Sequence, residues 1–167
     1  VINNWPIENY LDPTHPLQIA IREELENLAG EKVSKISTDG CGAPLFLISM
    51  RGMANAFHNF AVSVDPVHKK VIAACLAHPE MVAGEGRIDT ELMRQVPGLF
   101  LKNGAEAIQT SFMPDGRTVV FKVSDGSERA HQVILQAAYE KLGLHIEVKH
   151  PEVLGGGKVI GEIRAAL

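Results

Sequence analysis

Apolar and polar residues alternate along the chain in patterns that predict both helices and strands. In the first regular segment the apolar positions recur every three or four residues: Leu17, Ile21, Leu25 and Leu28. This spacing predicts an amphipathic helix with one face toward a core. Thr14 stands before the segment as its N-cap and Gly30 after it as its C-cap.

The rest of the chain mixes both periodicities. Helical spacing predicts helices over about 49–60, after Asp65-Pro66, over about 90–94, and from an N-cap at Ser127 through Leu142. Short apolar or alternating runs predict strands at 33–37 and 99–101, and a hairpin of 105–112 with 118–123 around Pro114-Asp115-Gly116. The elements lack a βαβα rhythm, so we predict an α+β fold with helices packed on an antiparallel sheet.

Composition excludes several classes of function. The chain has 167 residues and a net charge of −4, without the basic stripe that a nucleic-acid partner requires. No apolar run approaches the ~20 residues of a membrane span, and no signal peptide is visible. Two cysteines are too few for a disulfide framework, so we expect a reducing, cytoplasmic location and no membrane partner.

Two loops carry side chains that are capable of catalysis or ligand binding. Asp39 and Cys41 follow a predicted strand; a carboxylate there can orient an ammonium or amide, and a thiol can bind metal or be a reactive group. The competing interpretation is an ordinary Asp-Gly turn beside a small buried cysteine. Lys102 also follows an apolar run, and a lysine in a partly buried pocket can act as a general base. Most lysines at such turns are simply solvated.

The order of three motifs resembles one family. Residues 36–44 read Ile-Ser-Thr-Asp-Gly-Cys-Gly-Ala-Pro, residues 78–87 read His-Pro-Glu-Met-Val-Ala-Gly-Glu-Gly-Arg, and residues 101–107 read Leu-Lys-Asn-Gly-Ala-Glu-Ala. Together they resemble rhizobial-type L-asparaginases, a family related in fold to serine β-lactamases and glutaminases. The resemblance implies that the predicted α+β fold is part of a β-lactamase/glutaminase-like fold.

The resemblance also implies roles for single residues. Cys41 corresponds to a cysteine that helps to hold zinc near the active site, and Asp39 to an acidic, substrate-binding residue beside it. Lys102 corresponds to a catalytic lysine paired with a serine. In such chemistry the lysine takes the serine proton, and the serine oxygen attacks the side-chain amide. The implied substrate is L-asparagine, hydrolysed to L-aspartate and ammonia, and we expect a homodimer in the intact protein.

One element of the family's pattern is missing. No Ser-x-x-Lys occurs in residues 1–167, and zinc needs about four donors, of which Cys41 is one. We therefore expect residues 1–167 to be the C-terminal portion of an asparaginase domain, with an N-terminal half supplying the nucleophile. Two alternatives stay open: a non-catalytic amino-acid-binding module of the same fold, and a related small-amide hydrolase such as a glutaminase.

Overall fold

The structure, a computed structural model, describes residues 2–166. Val1 and Leu167, the two ends of the predicted 1–167 portion, lie outside the described residues. The chain divides into two compact units, Val1–Phe60 and Ala61–Leu167, and each is described by itself. None of the helices in the described range has the length and apolar character that crossing a membrane requires.

The first unit holds two helices and one hairpin. In chain order its elements are α1 (Pro16–Ala29), β1 (Lys35–Thr38), β2 (Pro44–Leu47) and α2 (Met50–Ala61), the last ending at the unit boundary. The prediction that Thr14 is the N-cap is wrong, because its hydroxyl and its N–H both donate to Asp12 Oδ1 at 2.7 Å. His15 caps the helix instead, its Nδ1 accepting from the Leu17 N–H at 3.1 Å. Gly30 is the C-cap, as predicted.

Polar side chains join α2 to the end of α1. Asn59 donates from its side-chain amide to the Leu28 carbonyl at 2.8 Å, and Asn55 to the Ala29 carbonyl at 3.4 Å. The last carbonyls of a helix have no intrahelical partner, so these amides satisfy groups that would otherwise need water.

The second unit contains four helices and five strands in the range the structure describes. They are α3 (Pro66–Ala77), α4 (Pro79–Ala83), α5 (Ile88–Gln95), β3 (Phe100–Gly104), β4 (Ile108–Phe112), β5 (Thr118–Lys122), α6 (His131–Lys141), β6 (Glu152–Gly155) and β7 (Lys158–Glu162). The long helix predicted from Ser127 begins later than expected. Ser127 caps a short 3-10 helix, Glu128–Ala130, by accepting from the Arg129 N–H at 3.4 Å, and α6 starts after it.

The core of the second unit lies on the antiparallel sheet β3-β4-β5. Phe100 and Phe112 are paired across β3 and β4, and their rings stack with centroids 4.7 Å apart. Leu101 on β3 and Leu135 and Tyr139 on α6 are fully buried. The Tyr139 hydroxyl donates to Ser111 Oγ on β4 at 3.0 Å, which fixes α6 against the sheet.

The α+β prediction is confirmed, and the hairpin around Pro114-Asp115-Gly116 forms as β4 and β5. The strands of the described residues lie in three small antiparallel sheets, β1-β2, β3-β4-β5 and β6-β7. Gly156 and Gly157 connect β6 to β7 with positive φ at both positions, which a tight hairpin turn of this kind requires. The relation to the β-lactamase fold stays a prediction.

Candidate active site

The predicted residues Asp39 and Cys41 lie together on the loop between β1 and β2. The loop is closed by hydrogen bonds from the Asp39 N–H to the Ala43 carbonyl at 2.8 Å and from the Gly42 N–H to the Asp39 carbonyl at 2.9 Å. Gly42 has φ +84°, so a residue without Cβ is needed at that turn. Both predicted side chains are exposed.

The two side chains are direct neighbours. The Cys41 thiol lies 3.6 Å from Asp39 Oδ2, and Asp39 Oδ1 accepts from the Gly40 N–H at 2.8 Å. A thiol and a carboxylate on one exposed turn are two donors of the kind that zinc binds. Among residues 2–166, no group of three or more histidine, cysteine or acidic side chains is placed to hold a metal ion.

Lys102 lies on β3 of the second unit, where the strand passes from two buried residues to more exposed ones. Its neighbour Leu101 is fully buried, while the Lys102 side chain is exposed and its Nζ donates to the Asn103 carbonyl at 2.6 Å. Across the strand pair, Thr110 Oγ1 donates to the Lys102 carbonyl at 2.9 Å. The strand pairing thus fixes the Lys102 backbone, while the exposed amine is hydrogen-bonded to the carbonyl of the next residue.

A buried carboxylate lies beside this strand. Asp89, the second residue of α5, is 2% exposed. Its Oδ2 accepts from the Asn103 N–H at 3.0 Å and from Gln109 Nε2 at 3.5 Å, so α5, β3 and β4 meet at this side chain. Burial of this extent is rare for an aspartate without a cationic partner.

Two further polar side chains complete the cluster. Gln109 on β4 is fully buried, and His131, the first residue of α6, is 3% exposed with its ring edge-on to Phe121. Within the described range, three buried atoms have no hydrogen-bond partner: Asp89 Oδ1, Gln109 Oε1 and His131 Nε2. Buried polar atoms are nearly always paired, so a set of three in one unit needs an explanation.

The electrostatics of Asp89 connect the cluster to Lys102. Burial raises the pKa of Asp89 above its ordinary value, because the charged form loses its hydration. The hydrogen bonds from Gln109 and Asn103, and then the electrostatic interactions with His131 and Lys102, oppose that rise of the Asp89 pKa. The interaction with Lys102 is the smallest of these contributions.

A small cavity opens beside the cluster. Its volume is about 190 Å³, and its walls include Arg87, Asp89, Asn103, Glu128 and His131. The predicted residue Lys102 precedes the wall residue Asn103 in sequence and interacts electrostatically with the wall residue Asp89. Asp39 and Cys41 belong to the other unit.

Asp89 and His131 were not predicted from the sequence, although a signal for each is present there. Asp89 precedes Leu92 and Met93 by three and four positions, and all three are buried on one face of α5. His131 precedes Leu135 and Tyr139 by four and eight positions on the buried face of α6. A charged or titratable residue inside an apolar stripe is the pattern that marks such positions.

Fold and site together define an α+β protein with a small polar cavity. Its carboxylate, its imidazole and the neighbouring lysine are groups that general acid–base catalysis uses. The chain belongs to the L-asparaginase II family, whose family model matches residues 1–165. This membership supports an asparagine amidohydrolase type of function in general terms. A comparison with curated proteins found no match.

Proposed function

We propose that the protein hydrolyses the side-chain amide of L-asparagine to L-aspartate and ammonia, with Lys102 as the general base. The observation that carries the proposal is the family match over residues 1–165, within which Lys102 lies exposed on β3, next in sequence to the cavity residue Asn103. Family membership supplies the type of substrate, and the position of Lys102 supports its role.

The proposed reaction needs a hydroxyl nucleophile. The neutral Lys102 amine would take the proton of a serine hydroxyl, and the serine oxygen would attack the amide carbon. Backbone N–H groups would stabilise the resulting oxyanion until ammonia leaves. Water would then hydrolyse the acyl-enzyme to aspartate. Residues 1–167 contain no Ser-x-x-Lys, so we propose that a further segment or chain contributes the serine.

The proposed role of Asp39 and Cys41 is to hold a zinc ion and the substrate beside it. The test of fit is the 3.6 Å between Cys41 Sγ and Asp39 Oδ2. Two ligands of tetrahedral zinc, about 2.3 Å (sulfur) and 2.1 Å (oxygen) from the metal, would lie about 3.6 Å apart. The pair therefore suits zinc as part of a larger ligand set. When bound, zinc would supply positive charge next to the substrate.

Substitution of Lys102 tests the proposal. Lys102→Met in the catalytically complete protein should lower kcat by at least about 100-fold, the lower range for loss of a general base. Lys122→Met is the matched control, because Lys122 is an exposed lysine of the same sheet, on β5. Ammonia release would be followed with asparagine and glutamine as substrates.

Three outcomes would contradict parts of the proposal. Full activity of Lys102→Met would remove Lys102 from the mechanism. Faster turnover of glutamine than of asparagine would favour the related small-amide hydrolase. Amino-acid binding without any ammonia release would favour the non-catalytic module.

A further inference from the structure

The three unpartnered atoms of the second unit are all able to accept hydrogen bonds. Asp89 Oδ1 and Gln109 Oε1 are acceptors, and His131 Nε2 is an acceptor in one of the two neutral tautomers. The side chains that carry them are 2%, 0% and 3% exposed. The cluster is thus rich in acceptors and poor in donors.

The adjoining cavity is suited to a small ligand. Asp89 and His131 both contribute to its walls. At about 190 Å³ it exceeds the roughly 10–15 Å³ that one water molecule needs. It is also smaller than the roughly 300–1,000 Å³ of sites for drug-sized ligands. A single amino acid or a small ion is the appropriate size class.

We propose that this cavity binds a small ligand through a primary ammonium group, with Asp89 as its anionic partner and His131 as a second acceptor. An ammonium group carries three N–H donors and no acceptor, which complements the Asp89 carboxylate and the His131 imidazole of the cavity wall. A buried carboxylate that meets a cation regains by charge-assisted hydrogen bonds much of what it loses by desolvation. An anion that carries no ammonium group would be repelled by the same carboxylate.

The alternatives to ammonium fit the cluster less well. Divalent calcium takes six to eight oxygen ligands and magnesium an octahedral shell, whereas the described residues hold no group of three metal-binding side chains. Ordered water could satisfy some of the atoms but would bring no positive charge to the buried carboxylate.

The rim indicates what the rest of the ligand carries. Arg87 lines the cavity, and so do Ile88 and His131, the first residues of α5 and α6. The Arg87 guanidinium favours a carboxylate, while Glu128, also on the wall, adds a second acidic group that attracts an ammonium. An α-amino acid, with its ammonium at Asp89 and its carboxylate toward Arg87, therefore uses more of the cavity than free ammonium ion does. Both sources share the ammonium chemistry.

The experiment compares ligands that differ by one group. Calorimetric titrations of the full chain at about pH 8, where a free aspartate is ionised, would use L-aspartate, succinate, ammonium chloride, potassium chloride and tetramethylammonium chloride. Succinate is aspartate without its amino group, and tetramethylammonium keeps the charge without N–H donors. We expect L-aspartate to bind at least about tenfold more tightly than succinate, and ammonium more tightly than potassium or tetramethylammonium.

The arms separate the two ligand sources. Tighter binding of L-aspartate than of ammonium would identify the α-ammonium group of an amino acid, and the reverse order would identify the free ion. Equal affinity for succinate and L-aspartate, equal affinity for potassium and ammonium, or no binding of either ammonium source would overturn the proposal.

A substitution tests the anionic partner. Asp89→Asn should weaken L-aspartate or ammonium binding at least about tenfold, because the neutral amide cannot balance the ligand charge. Asp115→Asn, at an exposed turn of the same unit, is the matched control and should bind as the wild type does. Unchanged affinity in Asp89→Asn would overturn the assignment, and the wild-type ligand series stands even if this variant folds poorly.

The inference concerns binding and does not require Lys102 to act as a base. Ammonium-selective binding without asparagine hydrolysis would refute the proposed activity and leave this site in place. Hydrolysis without ammonium-selective binding would do the opposite.

Discussion

Asp89→Asn should stabilise the folded protein at neutral pH. The change replaces one carboxylate oxygen by an NH2 group with almost no change in shape. The new amide oxygen can still accept from the Asn103 N–H, as Asp89 Oδ2 does at 3.0 Å. The new NH2 group can take the place of the unpartnered Oδ1, where it supplies a donor to a cluster in which Gln109 Oε1 and His131 Nε2 lack one.

The magnitude follows from burial and its sign from the pKa. An unsatisfied buried polar group costs about 1–3 kcal/mol, and Asp89 is only 2% exposed, so solvent screens little. Burial raises its folded-state pKa above the unfolded value of about 3.9. The folded protein therefore binds the proton more tightly. Stability from this group is complete below the unfolded pKa and is lost as the pH rises through the folded pKa.

Urea unfolding across the pH range measures the effect. Relative to the wild type, Asp89→Asn should be about 1–3 kcal/mol more stable at about pH 8, and the difference should shrink toward about pH 4. Asp115→Asn is a control of opposite sign, because hydrogen bonds from Arg117 lower the pKa of the exposed Asp115. That control should lose a little stability at high pH. A variant at Asp89 that is less stable than wild type by the same amount at every pH would refute the reasoning.

Two other predictions concern the remaining groups. Cys41→Ser should reduce the zinc content of the catalytically complete protein in elemental analysis, while Cys75→Ser, on α3, should not; unchanged zinc in Cys41→Ser would rule out the ligand role. Burial raises the pKa of Tyr139 to about 12, against the opposing hydrogen bond to Ser111. Tyr139→Phe should therefore remove an absorbance transition near that pH and cost about 0.5–1.5 kcal/mol in urea unfolding, whereas loss of neither would contradict the buried hydroxyl contact.

Much of the fold was predictable from local pattern. The helix beginning at Pro66 has the signals of a start site, Asp65 as N-cap and proline in the first turn, and Asp65 Oδ1 accepts from the Val67 N–H at 2.6 Å. The helix at Pro16 was predicted for the same reasons, yet its cap is His15 and not Thr14. Thr14 and His15 are both candidate caps, and Asp12 binds the Thr14 hydroxyl and N–H. The residue preferences of cap positions do not predict that hydrogen bond.

The candidate site was predictable only in part. Asp39, Cys41 and Lys102 were selected because each follows a strand within a motif that resembles a known family. Asp89, Gln109 and His131 stand on α5, β4 and α6, separated by 20 or more positions. Their meeting depends on the packing of helices against the sheet, and a polar residue in an apolar stripe does not reveal its partners. Tertiary packing was the missing information.

The same substitution, Asp89→Asn, tests both the effect of Asp89 on stability and its role in ligand binding. A buried carboxylate with a raised pKa and an unpartnered oxygen lowers stability in the empty protein, and natural proteins keep such groups mainly at functional sites. If Asp89 serves a ligand, Asp89→Asn must raise stability at about pH 8 and weaken ammonium binding in the same preparation. If Asp89 is only structural, the variant should lose stability and leave binding unchanged. The two explanations therefore predict opposite signs of the stability change and differ in whether binding weakens, and one variant with its Asp115→Asn control separates them.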